Sequence, residues 1–328
     1  METRRPTNPE AEALLGQYFP VLDHGFVALI DYMGSDEDVE RAARVSYGYG
    51  TRRTSETRGL IRYLRRHRHT TPSEMVELKL HCCMPMFVAR QWIRHRTASV
   101  NETSGRYSLL PLLFYRPRAS EFAAQSVANR QGRMPEPADA RTYGEAIDRW
   151  ERLRQLAGET YAWLVEHDVA RELARIDLPL STYTQWYWKI DLHNLLHFLT
   201  LRIDVHAQWE IRAYARVIAG IVQRVAPLSF EAWRDYQLDG AHLSRGELEA
   251  LRRLVRIADG GLASSGACLS DADLSRLGLS RREIEELRAK LAPAPAREDF
   301  TLDLASARPA SWFAEHMAAA VPAVDRPR

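Results

Sequence analysis

Side chains that carry or can gain a positive charge are concentrated between Arg90 and Tyr107, in the sequence RQWIRHRTASVNETSGRY. The planar fork of a guanidinium group bonds phosphate or carboxylate oxygens in pairs. Asn101, Glu102 and Ser104 lie beside these donors and could bind the polar edge of a base. The combination predicts a nucleotide pocket with phosphate at the arginines. A solvated basic face is the alternative, which the apolar residues inside the cluster disfavour.

The elements around this stretch form one continuous unit. Leu78–Met84 alternates apolar and polar residues, which is typical of a half-buried strand. Pro85 ends that segment, and the helix-like spacing of MFVARQWIRH predicts a helix directly after it. Thr97–Gly105 is rich in Ser, Thr, Asn and Gly, so we expect an ordered loop there. Strand, helix and loop would together present the cationic groups.

Several motifs resemble those of one enzyme family. Arg94, His95 and Arg96, followed after seven residues by Ser104, resemble the signature of the flavin-dependent thymidylate synthases. Further blocks occur in that family's order between about residues 24 and 235. They are ARVS (43–46), HTTPSE (69–74), FVARQW (87–92), ARIDLPL (174–180) and LRIDVHAQWEI (201–211). By this resemblance the chain is identified as a member of the family.

The resemblance implies two sets of site residues. Substrate contacts are implied at Gln91, Trp92, Ile93, Arg94, Glu102, Thr103, Ser104, Gly105, Arg106, Arg175 and Arg202. Flavin contacts are implied at Ser46, His69, Thr71, Arg94, His95, Arg96, Asn101, Glu102, Asp191, Leu192, His193 and His197. Arg175 would bind the substrate phosphate and Arg202 the pyrimidine ring, and no metal site is expected.

The implied reaction is reductive methylation of dUMP at C5 to give dTMP. The resemblance implies FAD as cofactor, methylenetetrahydrofolate as carbon donor and NADPH as reductant. Cys82 and Cys83 lie on the predicted strand and are interpreted as structural, so the ring needs activation without a cysteine nucleophile. A guanidinium group at N3 and O2 would stabilise the negative charge that develops there, which makes Arg202 the catalytic candidate.

Two departures from the family pattern bear on ligand contacts. Asp191, His193 and His197 stand where members often have Asn, Arg and Asn, so the flavin contacts at these positions are in question. Thr103 occupies a position that is usually larger, which would change the room around the bound sugar. This residue motivates an alternative function, in which the enzyme methylates UMP as well as dUMP in specialised nucleoside biosynthesis.

Length and composition fit one catalytic core with an appended piece. The chain has 328 residues, 45% of them hydrophobic, and a net charge of +2, which argues against a general polyanion binder. Its three cysteines form no disulfide framework and no metal-spaced pair. With no signal peptide and no apolar run of membrane-spanning length, the sequence predicts a cytoplasmic protein.

The remaining segments predict an α+β fold, with a twisted and mostly antiparallel sheet flanked by long helices. Phe26–Met33 has the pattern of a buried strand, and residues 142–167 that of a long helix. A further helix is expected from Asp191 towards Val225. Residues 57–67 are expected to be helical, with the arginines, Arg65 among them, on a solvated face.

Composition also predicts the domain boundaries. They are a flexible N-terminal extension at 1–23, the catalytic domain at 24–238, a helical C-terminal extension at 239–292 and an Ala/Pro-rich tail at 293–328. The near-copies LSRGELEAL and LSRREIEEL in the extension each have capping-box spacing before an amphipathic turn.

Two other classes of protein remain open. A nucleic-acid-binding module would use the arginines with Trp92 and Tyr107, and it predicts strongly salt-dependent binding. A non-catalytic scaffold predicts a folded oligomer that binds neither flavin nor nucleotide. The polar site residues favour the enzyme. Its expected partners are a pyrimidine nucleotide monophosphate and copies of itself, in a homotetramer with shared active sites, with no nucleic acid and no membrane.

Overall fold

The computed structural model describes residues 7–45, 56–127, 131–258 and 261–323. The chain divides into two compact units, of which the first comprises Met1–Ala232 and Phe300–Arg328 and the second Trp233–Asp299. The strands are, in chain order, β1 (Gln17–Val21), β2 (Gly25–Met33), β3 (Glu77–Pro85), β4 (Ser99–Glu102), β5 (Ala123–Gln125), β6 (Arg133–Pro137), β7 (Tyr183–Asp191), β8 (Val255–Ala258), β9 (Gly261–Ser264) and β10 (Arg308–Pro309). The helices are α1 (Pro9–Glu12), α2 (Asp36–Val45), α3 (Thr57–Arg66), α4 (Thr71–Glu74), α5 (Met86–Trp92), α6 (Ala140–Glu166), α7 (Arg171–Ala174), α8 (Leu192–Ile203), α9 (Trp209–Val225), α10 (Pro227–Trp233), α11 (Arg245–Leu254), α12 (Asp271–Arg276), α13 (Arg281–Leu291) and α14 (Ala310–Ala319).

The first unit is built on a six-stranded sheet with the order β10-β1-β2-β3-β7-β4. Every neighbouring pair in it is antiparallel. The strands predicted at Phe26–Met33 and Leu78–Met84 are β2 and β3, which pair with Leu29 opposite Leu80. The predicted α+β class with an antiparallel sheet is confirmed.

Strand β7 lies between β3 and β4, and the sequence prediction missed it. Trp186, Trp188 and Ile190 are buried and alternate with more exposed residues. This is the period of a strand, so the signal was present in the sequence. Because β7 pairs with both neighbours, it fixes β4 and with it the segment that ends at Glu102.

Helices α8 and α9 pack against each other, while α8 contacts β7 and α9 contacts β1 and β2. The single helix predicted from Asp191 towards Val225 is wrong, because the chain leaves the helix at Asp204 and enters the next one at Trp209. The Asp204 backbone is not helical, with ψ 139°. Its Oδ1 accepts from the backbone N–H of His206 at 2.8 Å. An aspartate that bonds the backbone in this way stabilises a turn against a helix.

An aromatic core fixes the end of α5. The Trp92 side chain is fully buried, and its ring centroid lies 5.2 Å from that of Trp188, 5.0 Å from Phe198 and 5.8 Å from Tyr214. Aromatic pairs at such distances stabilise a core beyond the area that they bury. Trp92 therefore anchors the backbone from which Arg94 and the rest of the signature continue.

The expected terminal boundaries need correction. The predicted flexible extension at 1–23 contains β1, whose Tyr18 and Val21 are buried in the sheet. The predicted tail at 293–328 contains β10 and α14, which belong to the first unit, with Phe313 in the same apolar cluster as Tyr18. β1 pairs with the next strand, β2, and with the distant β10, while Phe313 of α14 is buried by residues far away in the sequence. Local composition alone does not reveal this burial.

The second unit contains the helices expected in the C-terminal extension. The capping boxes of Ser244 with Glu247 and Ser280 with Glu283 are present at the starts of α11 and α13. The buried core of this unit consists of Ala250, Leu274, Leu279, Ile284 and Leu287. The hairpin of β8 and β9 was not predicted.

Within the described ranges, no helix is long and apolar enough to cross a membrane. Nor do those ranges contain a group of His, Cys, Asp or Glu side chains that could hold a metal ion. Cys82 and Cys83 are free thiols buried on β3.

Candidate functional site

The cationic segment starts at the end of α5. Arg90 in its last turn, and Arg94 and Arg96 beyond it, are exposed, whereas His95 is half-buried. Because Trp92 is held in the core, these side chains extend from a fixed piece of backbone. The exposed guanidinium groups are accessible to an anionic ligand.

His95 is the partner of Arg202, the predicted catalytic residue. Arg202, in the last turn of α8, donates its Nε–H to His95 Nε2 at 3.0 Å. The imidazole must be neutral to accept this bond. Burial, followed by the charge of Arg202 and then by His197, lowers the pKa of His95 to about 4. The bond uses Nε, so it orients the outer guanidinium nitrogens as a fork.

Glu102 is held by a threonine that the sequence prediction missed. Thr184 on β7 donates its hydroxyl to Glu102 Oε1 at 2.6 Å. The backbone N–H of Thr103 donates to a β7 carbonyl at 2.9 Å. The predicted loop over Thr97–Gly105 is therefore partly wrong, because β4 pairs with β7 along its whole length.

Gly105 allows the next turn of the loop to approach Arg175. A Cβ at position 105 would lie 2.9 Å from Leu110 Cδ1 and 3.1 Å from Arg175 Cδ. A larger residue at this position would require the side chains of Leu110 and Arg175 to shift. Arg106 pairs with Glu172 of α7 at 3.2 Å. The structure thus brings together three predicted substrate residues, Gly105, Arg106 and Arg175.

The other predicted substrate residues near α5 differ in exposure. The Gln91 side-chain amide donates to Gln208 Oε1, a partner that the sequence prediction missed. Ile93 is 40% exposed. The side chain of Trp92 has no exposed surface, so a ligand contact through its ring is excluded, and Trp92 serves by packing.

Two of the residues that depart from the family pattern, Asp191 and His193, lie at the start of α8. Asp191 is the N-cap of α8, and its carboxylate accepts from the backbone and side-chain amides of Asn194 at 2.9 and 2.8 Å. His193 Nδ1 is buried and has no hydrogen-bond partner among the described residues. Burial, then the charge of Arg65, lowers the pKa of His193, which favours the neutral imidazole. The Leu192 side chain is fully buried.

The remaining predicted flavin and substrate residues lie on several elements. His69, Thr71, Asn101 and His197 are exposed, and Thr103 and Ser104 are half-buried. Helix α4, which starts at Thr71, packs against α8, which carries His193. The His197 ring lies 6.2 Å from that of His95, centroid to centroid. Ser46 lies outside the described residues.

Arg65 was predicted on a solvated face, and this prediction is wrong. It is 9% exposed, and its Nη2 donates to Ser73 Oγ at 3.3 Å. Burial lowers the pKa of Arg65 to about 10, which still leaves it cationic at neutral pH. A buried positive charge therefore acts on His193. No local pattern in the sequence distinguishes Arg65 from the arginines around it.

Two cavities lie elsewhere in the first unit. One of about 1100 Å³ is lined by the β5–β6 hairpin and the start of α9, including Arg133 and Glu210. Another of about 680 Å³ is lined by Asp23, Arg154 and their neighbours. None of the predicted site residues lines either cavity.

The donor set fits two anionic nucleotides. Arg94 and Arg96 offer exposed forks that match phosphate oxygens. His193 adds a ring nitrogen, Nδ1, that has no hydrogen-bond partner among the described residues. Arg202 offers an oriented fork, and Glu102 offers an accessible carboxylate that accepts N–H or O–H groups.

Comparison with known proteins gives the family. Residues 28–228 match the family described as thymidylate synthase complementing protein. The chain is 49% identical over 292 residues to the flavin-dependent thymidylate synthase of Gluconobacter oxydans, covering 88% of this chain and 92% of that protein. It is 51% identical over 254 residues to the protein of the same name from Wolbachia pipientis wMel, covering 77% of this chain and 89% of that protein.

Among solved structures, the chain is similar to the UMP/dUMP methylase PolB from Streptomyces cacaoi bound with 5-Br UMP. The TM-score is 0.58 at 32% identity, over 66% of this chain and 96% of that one. Fold, site and comparisons together define an enzyme of the methyltransferase class. The chain belongs to the flavin-dependent thymidylate synthase family.

Proposed function

We propose that this enzyme adds a methyl group to C5 of dUMP and gives dTMP, in the cytoplasm. Methylenetetrahydrofolate would be the carbon donor and NADPH the reductant. The observation that carries the proposal is the oriented guanidinium group of Arg202, whose Nε–H bonds neutral His95 at 3.0 Å. The names of the relatives in Gluconobacter and Wolbachia support the same substrate.

The uracil ring would be activated without a cysteine from the sheet. Cys82 and Cys83 are fully buried, and burial raises the pKa of both thiols. A buried thiol of this kind is a poor nucleophile. Polarisation of the ring is the route that the charged residues of the site support.

Arg202 would supply that polarisation. Its outer nitrogens would face N3 and O2 of the ring and stabilise the negative charge that develops as C5 becomes nucleophilic. His95 would hold the fork in place before the substrate arrives. Because His95 is neutral, the pair carries one positive charge, and the imidazole does not repel the guanidinium group.

FAD is the proposed cofactor, and when reduced it would supply hydride to the one-carbon unit. Arg94 and Arg96 would bind its phosphates, and His193 would contact the edge of the flavin ring. Thr71 and Asn101 are further contacts implied by the family resemblance. The protein would orient the cofactor and hold it beside the nucleotide.

The nucleotide itself would be held by the loop that follows β4. Arg175 and Arg106 would bind the phosphate, since Gly105 lets the loop lie against Arg175. Gln91 and Glu102 would bond polar groups of the base or sugar. Phosphate binding and ring polarisation would thus use different arginines.

We also propose a homotetramer with active sites built from several chains. The signature arginines are exposed in a single chain. Helix α6 also presents large exposed apolar side chains, with Leu153 and Leu156 each 63% exposed and Trp163 55%. Such apolar surface is typical of an interface. Light scattering should give the mass of four chains, and a monomer would contradict the proposal.

UMP is a second candidate substrate. Thr103 is half-buried in the nucleotide loop, and its small side chain would leave room for a 2′-hydroxyl group. The solved relative at 32% identity is named a UMP/dUMP methylase. We expect Thr103→Tyr to lower turnover of UMP more than that of dUMP. If wild type and Thr103→Tyr reject UMP equally, this candidate is excluded.

Product analysis tests the proposed reaction. The purified protein would be incubated anaerobically with FAD, NADPH, dUMP and methylenetetrahydrofolate labelled in the methylene carbon. We expect labelled dTMP, and its formation should depend on each component. A protein that binds FAD and dUMP but forms no dTMP would overturn the proposed function.

A further inference from the structure

We propose that Thr184 is a positioning residue that fixes the Glu102 carboxylate for the nucleotide. Thr184 is 3% exposed on β7, and its hydroxyl donates to Glu102 Oε1 at 2.6 Å. Its backbone lies in the interior of the sheet, opposite Met84 of β3. The donor is thus fixed by the core, while the acceptor lies at the edge of the sheet.

Glu102 needs such a partner because of its location. It is the last residue of β4, which is an edge strand, and its side chain is exposed. An exposed glutamate samples several rotamers in solution, and ordering it has an entropic cost. A hydrogen bond to a carboxylate is of the stronger, charge-assisted class. The bond from Thr184 therefore selects one orientation before any ligand binds.

The oriented carboxylate has a defined chemical role. An ionised carboxylate only accepts hydrogen bonds, and Thr184 occupies Oε1. The other oxygen is then directed to an N–H of the base or a hydroxyl of the sugar. This inference rests on the proposed function, because it takes the nucleotide to be the ligand of Glu102.

Thr182 provides a matched control on the same chain. It is fully buried, lies just before β7, and its hydroxyl donates to Pro179 O at 2.7 Å. Thr182→Val and Thr184→Val each remove one buried hydroxyl donor of equal size. Pro179 O keeps the backbone N–H of Thr182 as a donor, at 2.9 Å. Of these two hydroxyl groups, only that of Thr184 bonds a residue of the predicted site, Glu102.

The test measures the Kd of the full-length FAD-loaded protein for dUMP by calorimetry, with the KM and kcat of the same protein. Thr184→Val should raise the Kd and KM for dUMP roughly ten-fold, the scale of one hydrogen bond to a charged group. Thr184→Ser should restore wild-type values. Thr182→Val should keep the Kd within about two-fold of wild type while losing similar thermal stability.

A double-mutant cycle separates positioning from a purely structural role. In the Glu102→Gln background, Thr184→Val should have little further effect on the Kd. If Thr184→Val does not fold, Thr184→Ala takes its place in the cycle. The inference is overturned if Thr184→Val binds dUMP like wild type, or if Thr182→Val weakens binding equally. A wild-type protein that binds no dUMP would overturn the proposed function together with this inference.

Discussion

Two groups of site residues differ in how this chain holds them. Arg202 and Glu102 are oriented by hydrogen bonds to His95 and Thr184, at 3.0 and 2.6 Å. Arg94 and Arg96 are exposed beyond the end of α5. An oriented group acts on one position of a ligand, whereas an exposed guanidinium group adapts to any nearby phosphate. The difference suggests that the oriented groups serve the reaction and the exposed ones serve affinity.

The difference follows from where each residue enters the fold. Arg202 is half-buried in the last turn of α8, and burial lowers its pKa. His95 lies against Phe198 of the same helix, with ring centroids 4.9 Å apart. Arg94 and Arg96 flank His95 in sequence, but their side chains point to solvent. Alternate residues of one motif therefore meet different surroundings.

The largest effect is expected for Arg202→Lys, which keeps the charge and removes the fork. We expect kcat to fall about 100- to 1,000-fold, the scale of one lost oxyanion donor. The Kd for dUMP should change much less. Arg224→Lys, which alters an exposed pair with Glu10, is the control and should retain full activity. If Arg202→Lys keeps the wild-type kcat, the oriented fork of Arg202 does not serve the reaction.

A smaller effect on turnover is expected for Arg94→Ala and Arg96→Ala. Each should raise the Kd for FAD roughly ten-fold, through loss of a charged hydrogen bond. The wild-type Kd should also rise with salt, because exposed charges are screened. Flavin fluorescence titrations at several salt concentrations measure both. If these variants lose as much kcat at saturating FAD as Arg202→Lys does, the exposed arginines do not serve affinity alone.

The His95–Arg202 contact also predicts a pH effect. The pKa of His95 is lowered to about 4, so between pH 4 and about 6.5 the unfolded chain binds the proton more readily. Stability from neutral His95 is present above about pH 6.5 and is lost as pH falls towards 4. NMR titration of the His95 imidazole should show this low pKa in wild type. The pKa of His95 should be higher in Arg202→Ala, which lacks the neighbouring positive charge. The rise should be partial, because burial is the largest cause. An ordinary pKa in wild type would contradict the contact.

The smallest effect is expected where both members of an ion pair are exposed. Arg281 of α13 is 94% exposed and pairs with Glu285 at 3.2 Å. Arg281→Ala should change the free energy of unfolding by less than about 0.5 kcal/mol. Urea denaturation measures it. A loss several times larger would show that exposed ion pairs contribute substantially to the stability of this protein.

The sequence predicted those parts of the fold that have a strong local signal. The alternation of Leu78, Leu80 and Cys82 located β3, and the serine–glutamate spacing located the caps of α11 and α13. The sequence missed α14, since its burial depends on partners far away in the chain. It also missed β1, a short strand that contains Pro20 and pairs with β2. The break at Asp204 was missed because a single turn-forming residue interrupts two apolar helices.

The sequence predicted a set of candidate site residues, but not the contacts that those residues make. Motif spacing located Arg94 and Arg202, whereas their roles differ through burial, which a motif does not encode. Thr184 and Gln208 act on predicted residues from other elements, so only the tertiary structure identifies them. Trp92 lies within a motif and is nevertheless a core residue.

The most direct measurement is the release of tritium from dUMP labelled at C5. Wild type and Arg202→Lys would be compared in a single turnover, both saturated with dUMP, with reduced FAD and methylenetetrahydrofolate. We expect rapid release by wild type and release about 100-fold slower by the variant. Equal rates in the two proteins, or no release by a wild type that binds FAD and dUMP, would contradict this expectation.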